Sequence, residues 1–308
     1  MSEQPWTTAD IPDLTGRRAL VTGVTSGLGE VVVEHLARHG AEVVMAARDP
    51  HKLSATVAEL GVHVPRTLLR PLHLDLADQA SVRRAAAEAS ALGPLHLLVN
   101  NAGVMATPYS RTGDGFELQM ATNFFGHFAL TGLLLPSLVA AGEDGARVVS
   151  VSSQGHRMAR TAPLADPRLE PDRYRRWATY AHTKLASLLF TFELDRRCRA
   201  AGPPVTALAA HPGLSPTGLM ASGRRPPAAA RILDAAVAML GQPPSAGALP
   251  LLMAATADLP GSTYVGPGGF AEVRGAPRVV GTSALARDPK AARELWGIAQ
   301  HATGVVYP

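Results

Sequence analysis

The fold is decided by the stretch Arg18-Ala19-Leu20-Val21-Thr22-Gly23-Val24-Thr25-Ser26-Gly27-Leu28-Gly29. Arg18 to Thr22 reads as a short buried strand, and the pattern from Leu28 to His39 reads as a helix. Gly23, Gly27 and Gly29 lie at the turn between them. Glycine permits tight backbone geometry and close approach of a phosphate. The helix N-terminus adds free N–H groups and positive potential for a pyrophosphate. Three glycines alone also suit an ordinary tight turn. A strand before them and a helix after them point to dinucleotide binding, with Thr25, Ser26 and Leu28 in the same loop.

Working outward, the same alternation repeats. Ala41–Ala46, Leu69–Leu74 and Leu95–Val99 are short apolar runs, separated by amphipathic segments Pro50–Leu60 and Ala77–Ser90. The second half adds runs at Arg147–Ser152, Val205–Ala210 and Ser262–Val265, with helical patterns over Gly115–Ala141, Tyr174–Arg199, Ser245–Ala257 and Asp288–His301. Pro136 is expected to end or kink its helix. The strands lack polar alternation, as expected when helices cover both faces of a sheet. Strand–helix repeats imply right-handed crossovers. The expectation is an α/β fold of the Rossmann type: a doubly wound parallel sheet of about seven strands in a single domain spanning 1–308. Residues 214–244, rich in Gly, Pro and Arg, would form the substrate region, and about 266–308 a C-terminal extension.

Composition narrows the function classes. The 308 residues are 46% hydrophobic and 18% charged, which suits a large core and excludes general disorder. The net charge is +4 and the pI about 9.6, yet no basic run is dense enough for a nucleic-acid groove. The single cysteine, Cys198, cannot form an internal disulfide. No signal core is visible near the start, nor a run of apolar residues long enough to serve as a membrane anchor, so a cytoplasmic location is expected.

The second strand ends at Ala47-Arg48-Asp49. An acidic residue here would bind a ribose 2′-hydroxyl. Ala47 offers none, and Arg48 suits a bidentate contact with a 2′-phosphate. Asp49 reads as the cap of the next helix, with Pro50 in its first turn. Further along, Tyr180 and Lys184 are four apart on a helical pattern and share a face. A nearby ammonium favours a phenolate, so Lys184 is expected to lower the Tyr180 pKa from its usual value near 10. His156, His182 and His211 lack carboxylate or cysteine companions at ligand spacing, so hydrogen-bonding roles are preferred and no metal is expected.

These motifs in order resemble the short-chain dehydrogenase/reductase family, and more narrowly its retinol-dehydrogenase-like branch. They are Thr22-Gly23-x-x-x-Gly27-x-Gly29, Leu74-Asp75-Leu76, Asn100-Asn101-Ala102-Gly103, Asn123-x-x-Gly126-His127-Phe128, Val151-Ser152-Ser153, Tyr180-x-x-x-Lys184, and His211-Pro212-Gly213 followed by Thr217. The resemblance implies catalytic roles for Asn123, Ser153, Tyr180 and Lys184. Tyr180 would exchange the proton and Ser153 would hold the carbonyl oxygen. Lys184 would bind the nicotinamide ribose, and Asn123 would order a helix bend and a water relay to Lys184. Asp75 and Leu76 would lie at the adenine, and Asn101, Ala102 and Gly103 would line the cofactor. Pro212, Gly213 and Thr217 would meet the nicotinamide end. Ala47 followed by Arg48 matches the NADP-using pattern. Thr25 and Thr183 depart from the branch's usual asparagine and serine, and Arg157–Arg176 reads as an insertion bordering the pocket.

The implied activity is NADP(H)-dependent interconversion of a small-molecule carbonyl and an alcohol, with a lipophilic substrate. The substrate pocket is expected from Val104–Tyr109, Gln154–Trp177 and Leu214–Pro244. A homodimer or homotetramer is expected through the Gly115–Ala141 and Tyr174–Arg199 helices. The competing readings are a catalytically silent NADP-binding sensor or scaffold, and more weakly a sugar-nucleotide epimerase.

Overall fold

The computed structural model describes residues 5–142, 145–162, 170–214 and 241–307. Thr217 and most of the 214–244 segment lie outside the described residues, as does part of the Arg157–Arg176 insertion.

The glycine turn follows β1 (Arg18–Thr22) and leads into α1 (Leu28–Arg38). Next come β2 (Glu42–Ala47), α2 (Pro50–Leu60), β3 (Leu69–His73), α3 (Gln79–Ser90) and β4 (Leu97–Asn100). The long helix α4 (Leu118–Val139) precedes β5 (Ala146–Val151). The chain continues through α5 (Arg176–Ala201), β6 (Val205–Ala210), α6 (Pro244–Gly247), α7 (Leu249–Thr256) and β7 (Tyr264–Pro267). It closes with β8 (Pro277–Val279) and α8 (Pro289–Thr303). Asp49 caps α2 by accepting from the His51 and Lys52 N–H groups at 3.0 and 3.1 Å.

All eight strands form one sheet in the order β3-β2-β1-β4-β5-β6-β7-β8. The first seven are parallel and β8 is antiparallel to β7. The sequence expectation of about seven parallel strands therefore omits β8, whose three residues sit in a Gly/Pro-rich stretch without a strand pattern. Successive strand residues face opposite sides of the sheet. Leu20, Val44, Leu98 and Val148 join one core, while Val21, Met45, Val99 and Val149 join the other. Burial on both sides explains why the runs read as uniformly apolar.

The first core contains a cluster of Phe124, Phe128, Phe190, Trp296 and Tyr307. Tyr307 donates its hydroxyl to the Phe128 carbonyl at 2.6 Å. α4 is long and apolar enough to cross a membrane by length and composition, but 72% of its most apolar window is buried here, as in a core helix. Pro136 neither ends nor splits it, because the helix continues to Val139. The far half of α5 is pinned differently. Asp195 is buried and accepts from the Ala207 N–H, the Ser262 hydroxyl and the Arg199 guanidinium.

Candidate functional site

The parallel order places the C-terminal ends of β1, β4, β5 and β6 side by side. In open α/β sheets this edge is where ligands bind. At β1 the Thr22 hydroxyl accepts from the Asn101 and Ala102 N–H groups at 3.0 and 2.9 Å. The Asn101 amide donates to the Thr22 and Gly23 carbonyls at 2.7 and 3.1 Å. The turn after β1 and the end of β4 are thus laced together. A Cβ on Gly23 would lie 2.7 Å from the Ala102 Cα, and one on Gly29 would collide with the Gly23 carbonyl.

Gly27 opens α1 in a left-handed backbone conformation, φ 65°, and no side chain caps the helix. The first-turn N–H groups therefore stay available to an anion. This bare, glycine-floored cradle fits a dinucleotide pyrophosphate. Arg48 is exposed just beyond β2, whose Ala46 carbonyl accepts from the Gly23 N–H at 2.9 Å. Asp75 lies beyond β3 and accepts from the Ala77 N–H at 2.9 Å. Leu76 packs under α4, where a Cβ on Gly126 would strike its carbonyl.

Tyr180, Thr183 and Lys184 lie on the buried face of α5, against β5. Of the two serines after β5, Ser152 is buried and donates to the Lys184 carbonyl at 2.8 Å. Ser153 instead lies beside the Tyr180 phenol, and its hydroxyl oxygen accepts from the Gly155 N–H at 3.0 Å. Gly155 leaves room for this pair, since a Cβ there would sit 3.2 Å from the Tyr180 ring and 3.4 Å from the Ser153 hydroxyl oxygen. Lys184 Nζ donates to the Val151 carbonyl at 3.0 Å and lies 5.7 Å from the Tyr180 ring centroid. Burial lowers the lysine pKa to about 8. Burial also raises the phenol above its usual value, opposed by the neighbouring Ser153 hydroxyl. The expected lowering of the Tyr180 pKa by Lys184 is therefore not what this structure gives. The desolvation of a buried phenolate dominates, and the phenol keeps its proton at neutral pH.

Asn123 sits inside α4 where the helix widens to a π-turn over Ala121–Phe125. Such turns often mark functional sites. Its side chain accepts from the Val104 N–H at 2.7 Å and donates to the Val104 carbonyl and the Thr183 hydroxyl. The side chain thus fixes the Val104 loop to α5. That loop is held again where Ala106 N–H donates to Gln119 and Tyr174 donates to the Thr107 carbonyl.

Three polar side chains at the site escape notice in the sequence. His127 lies between Thr22 and Asn123, at 3.0 and 3.2 Å from the Thr22 hydroxyl and the Asn123 carbonyl. The Thr22 oxygen already accepts two N–H groups, so its own hydrogen goes to His127 Nε2. The Asn123 carbonyl can only accept, so Nδ1 carries the ring proton. This neutral tautomer agrees with a pKa lowered to about 4 by burial. Gln154 and Glu272 meet His211, which follows β6. His127 stands within the quoted Asn123 motif and could have been singled out there. Glu272 carries no local signal.

Pro212 and Gly213 follow His211 at the same sheet edge as Ser153. Trp177, 44% exposed, stands one turn before Tyr180 with the two rings edge to face at 6.4 Å.

The family model described as short chain dehydrogenase matches residues 17–165. Polyprenol dehydrogenase of Mus musculus is 40% identical over 96% of this chain and 86% of its own. Retinol dehydrogenase 12 of Homo sapiens is 42% identical over 65% of this chain, and the match spans 62% of that relative. A crystal structure of an uncharacterized protein from Mycobacterium paratuberculosis superposes with a TM-score of 0.80 at 41% identity, covering 99% of this chain and all of that one.

Proposed function

Because the chain belongs to the short-chain dehydrogenase family, in its retinol-dehydrogenase-like branch, we propose that it is an NADP(H)-dependent reductase of lipophilic carbonyl compounds. Oxidoreductase chemistry between a carbonyl and an alcohol follows from the family. NADP preference, the residue roles, the substrate class and the direction are our reading. The observation that carries it is the buried Tyr180 phenol beside Ser153, with Lys184 one turn further on, at the sheet edge that holds the glycine cradle.

The bound nicotinamide supplies or takes the hydride. Residues Gly23, Thr25, Ser26, Gly27, Leu28 and Gly29 hold the pyrophosphate, and Arg48 the 2′-phosphate. Asp75 and Leu76 face the adenine, and Asn101, Ala102 and Gly103 line the path to the nicotinamide. Pro212 and Gly213 border its far end. Ser153 donates to the substrate oxygen, and Tyr180 delivers a proton to it as negative charge builds there. A phenol that keeps its proton at neutral pH suits this acid role, which favours reduction. Lys184 contributes a cation to the nicotinamide ribose. Asn123 fixes the Val104 loop to Thr183, and the water relay to Lys184 implied by resemblance belongs to the same proposal.

A lipophilic substrate is supported by two observations. Trp177 presents an indole beside Tyr180. The relatives are named for polyprenol and retinol, both long isoprenoid alcohols. A cytoplasmic site of action and a homodimeric or homotetrameric state belong to the same proposal.

The test is a screen of apolar aldehydes and ketones followed by NADPH absorbance, with Tyr180→Phe as control. Tyr180→Phe should lose about 10²–10⁴-fold in kcat while binding NADPH as before. A variant that keeps its turnover would refute the assigned role. A silent sensor would instead bind NADPH and reduce nothing on the panel.

A further inference from the structure

The loop carrying Pro212 and Gly213 is clasped by a turn from the C-terminal region. Leu214 N–H donates to the Val273 carbonyl at 2.9 Å. Gln242 bridges the two segments, donating to the Pro212 carbonyl at 2.8 Å and accepting from the Gly275 N–H at 3.2 Å. Gly213 lies so close to Val273 that a Cβ would collide with its carbonyl.

At the centre of the clasp is the Glu272 carboxylate. One of its oxygens accepts from His211 Nε2 at 2.9 Å and from the Gln154 amide. Both donors are oriented by other bonds. His211 Nδ1 accepts from the Gly213 N–H at 3.2 Å, so the ring proton is on Nε2 and faces Glu272. The Gln154 oxygen accepts from Arg157 Nε at 2.8 Å, which turns its NH₂ toward Glu272. Ala271 and Glu272 have φ of 49° and 56°, a left-handed backbone in two successive residues with side chains. Such a conformation persists where the surroundings over-determine it, often at functional sites. Gly266 makes room, since a Cβ there would collide with the His211 imidazole. The single carboxylate therefore joins the residue after Ser153, the residue before Pro212 and the turn after β7.

We propose that Glu272 is a positioning residue for the nicotinamide end of the cofactor site, holding the Pro212–Gly213 loop in fixed relation to the Ser153 hydroxyl. It acts through His211 and Gln154 and touches no reacting atom. The inference rests on the cofactor reading above and adds a residue that lies outside the family motifs.

The experiment is calorimetric titration of the full chain with two probes. One is NADPH, and the other is 2′-phospho-ADP-ribose, which is the same molecule without the nicotinamide. Glu272→Ala should weaken NADPH binding about tenfold and leave binding of the fragment unchanged. Glu272→Gln, whose amide oxygen can still accept both donors, should bind NADPH within about threefold of the unaltered protein. Glu272→Ala that loses neither ligand or both equally would overturn the inference, as would a Gln variant as impaired as Ala. Should Glu272→Ala fail to fold, Glu272→Asp, one methylene too short, should show the same split. Failure of both to fold would assign Glu272 to stability and overturn the inference. An unaltered protein that bound neither nucleotide would sink the cofactor reading itself, whereas normal binding with an unaffected Ala variant would sink only the role of Glu272.

Discussion

Lys184 Nζ rests 3.0 Å from the Val151 carbonyl, so a buried lysine closes the gap between α5 and the end of β5. Burial lowers its pKa from 10.5 to about 8. A folded pKa below the unfolded one means the unfolded chain binds more protons between those values. Stability therefore rises as pH climbs from about 8 toward 10.5, and the full burden is present below that window. Lys184→Met should abolish turnover yet stabilise the fold by about 2 kcal/mol at pH 7, after allowing for the lost hydrogen bond. Urea unfolding of both proteins across pH 7–10 checks this. A variant less stable at pH 7 would contradict it.

Two histidines should make the fold acid-sensitive. His127 is held neutral with a pKa of about 4 and His211 with one of about 3, both by burial. Their folded values lie below the usual 6.5, so stability is complete above pH 6.5 and is lost as pH falls toward 4 and then 3. For His127 alone the loss is on the order of 3 kcal/mol. Thermal unfolding should show a falling Tm over this range, with a shallower fall in His127→Gln. Equal slopes would show that His127 titrates normally.

Cofactor choice should turn on Arg48, which stands exposed beyond β2 next to the glycine turn. Arg48→Glu removes a cation and supplies an acceptor for a ribose hydroxyl. The ratio of kcat/KM with NADPH to that with NADH should fall about 10- to 100-fold. An unchanged ratio would place the discrimination elsewhere.

Gly266→Ala puts a methyl group into the His211 imidazole. Because Gly266 lies within β7 and the His211 ring, just after β6, is fully buried, relief requires a backbone shift. A loss of about 1–3 kcal/mol in stability is expected, measured by chemical denaturation. A neutral result would mean the His211 ring has another place to go.

Much of the site is legible in the sequence because its residues carry local signals. The β1–glycine–α1 unit reads directly from Arg18 to Gly29, and the four-residue spacing puts Tyr180 and Lys184 on one helix face. The seven parallel strands show as apolar runs because both sheet faces are covered. Other features are tertiary. β8 is three residues long and exists by pairing with β7. Glu272 means nothing until its turn is folded back onto His211, 61 residues earlier. The Tyr180 pKa follows burial, which spacing cannot report, so charge alone gives the wrong direction. Ser152 and Ser153 differ in role because strand alternation turns them apart, and here the sequence does contain the rule.

α5 runs without a break from the phenol of Tyr180 to the buried carboxylate of Asp195, roughly four turns away. Asp195 is moored to β6 through Ala207 and to the β7 approach through Ser262. A stiff rod fixed at one end transmits small tilts to the other. Substitutions at Ser262 or Asp195, far from any reacting group, are thus natural places to look for altered turnover in a directed-evolution library, even when every residue at the sheet edge is left untouched.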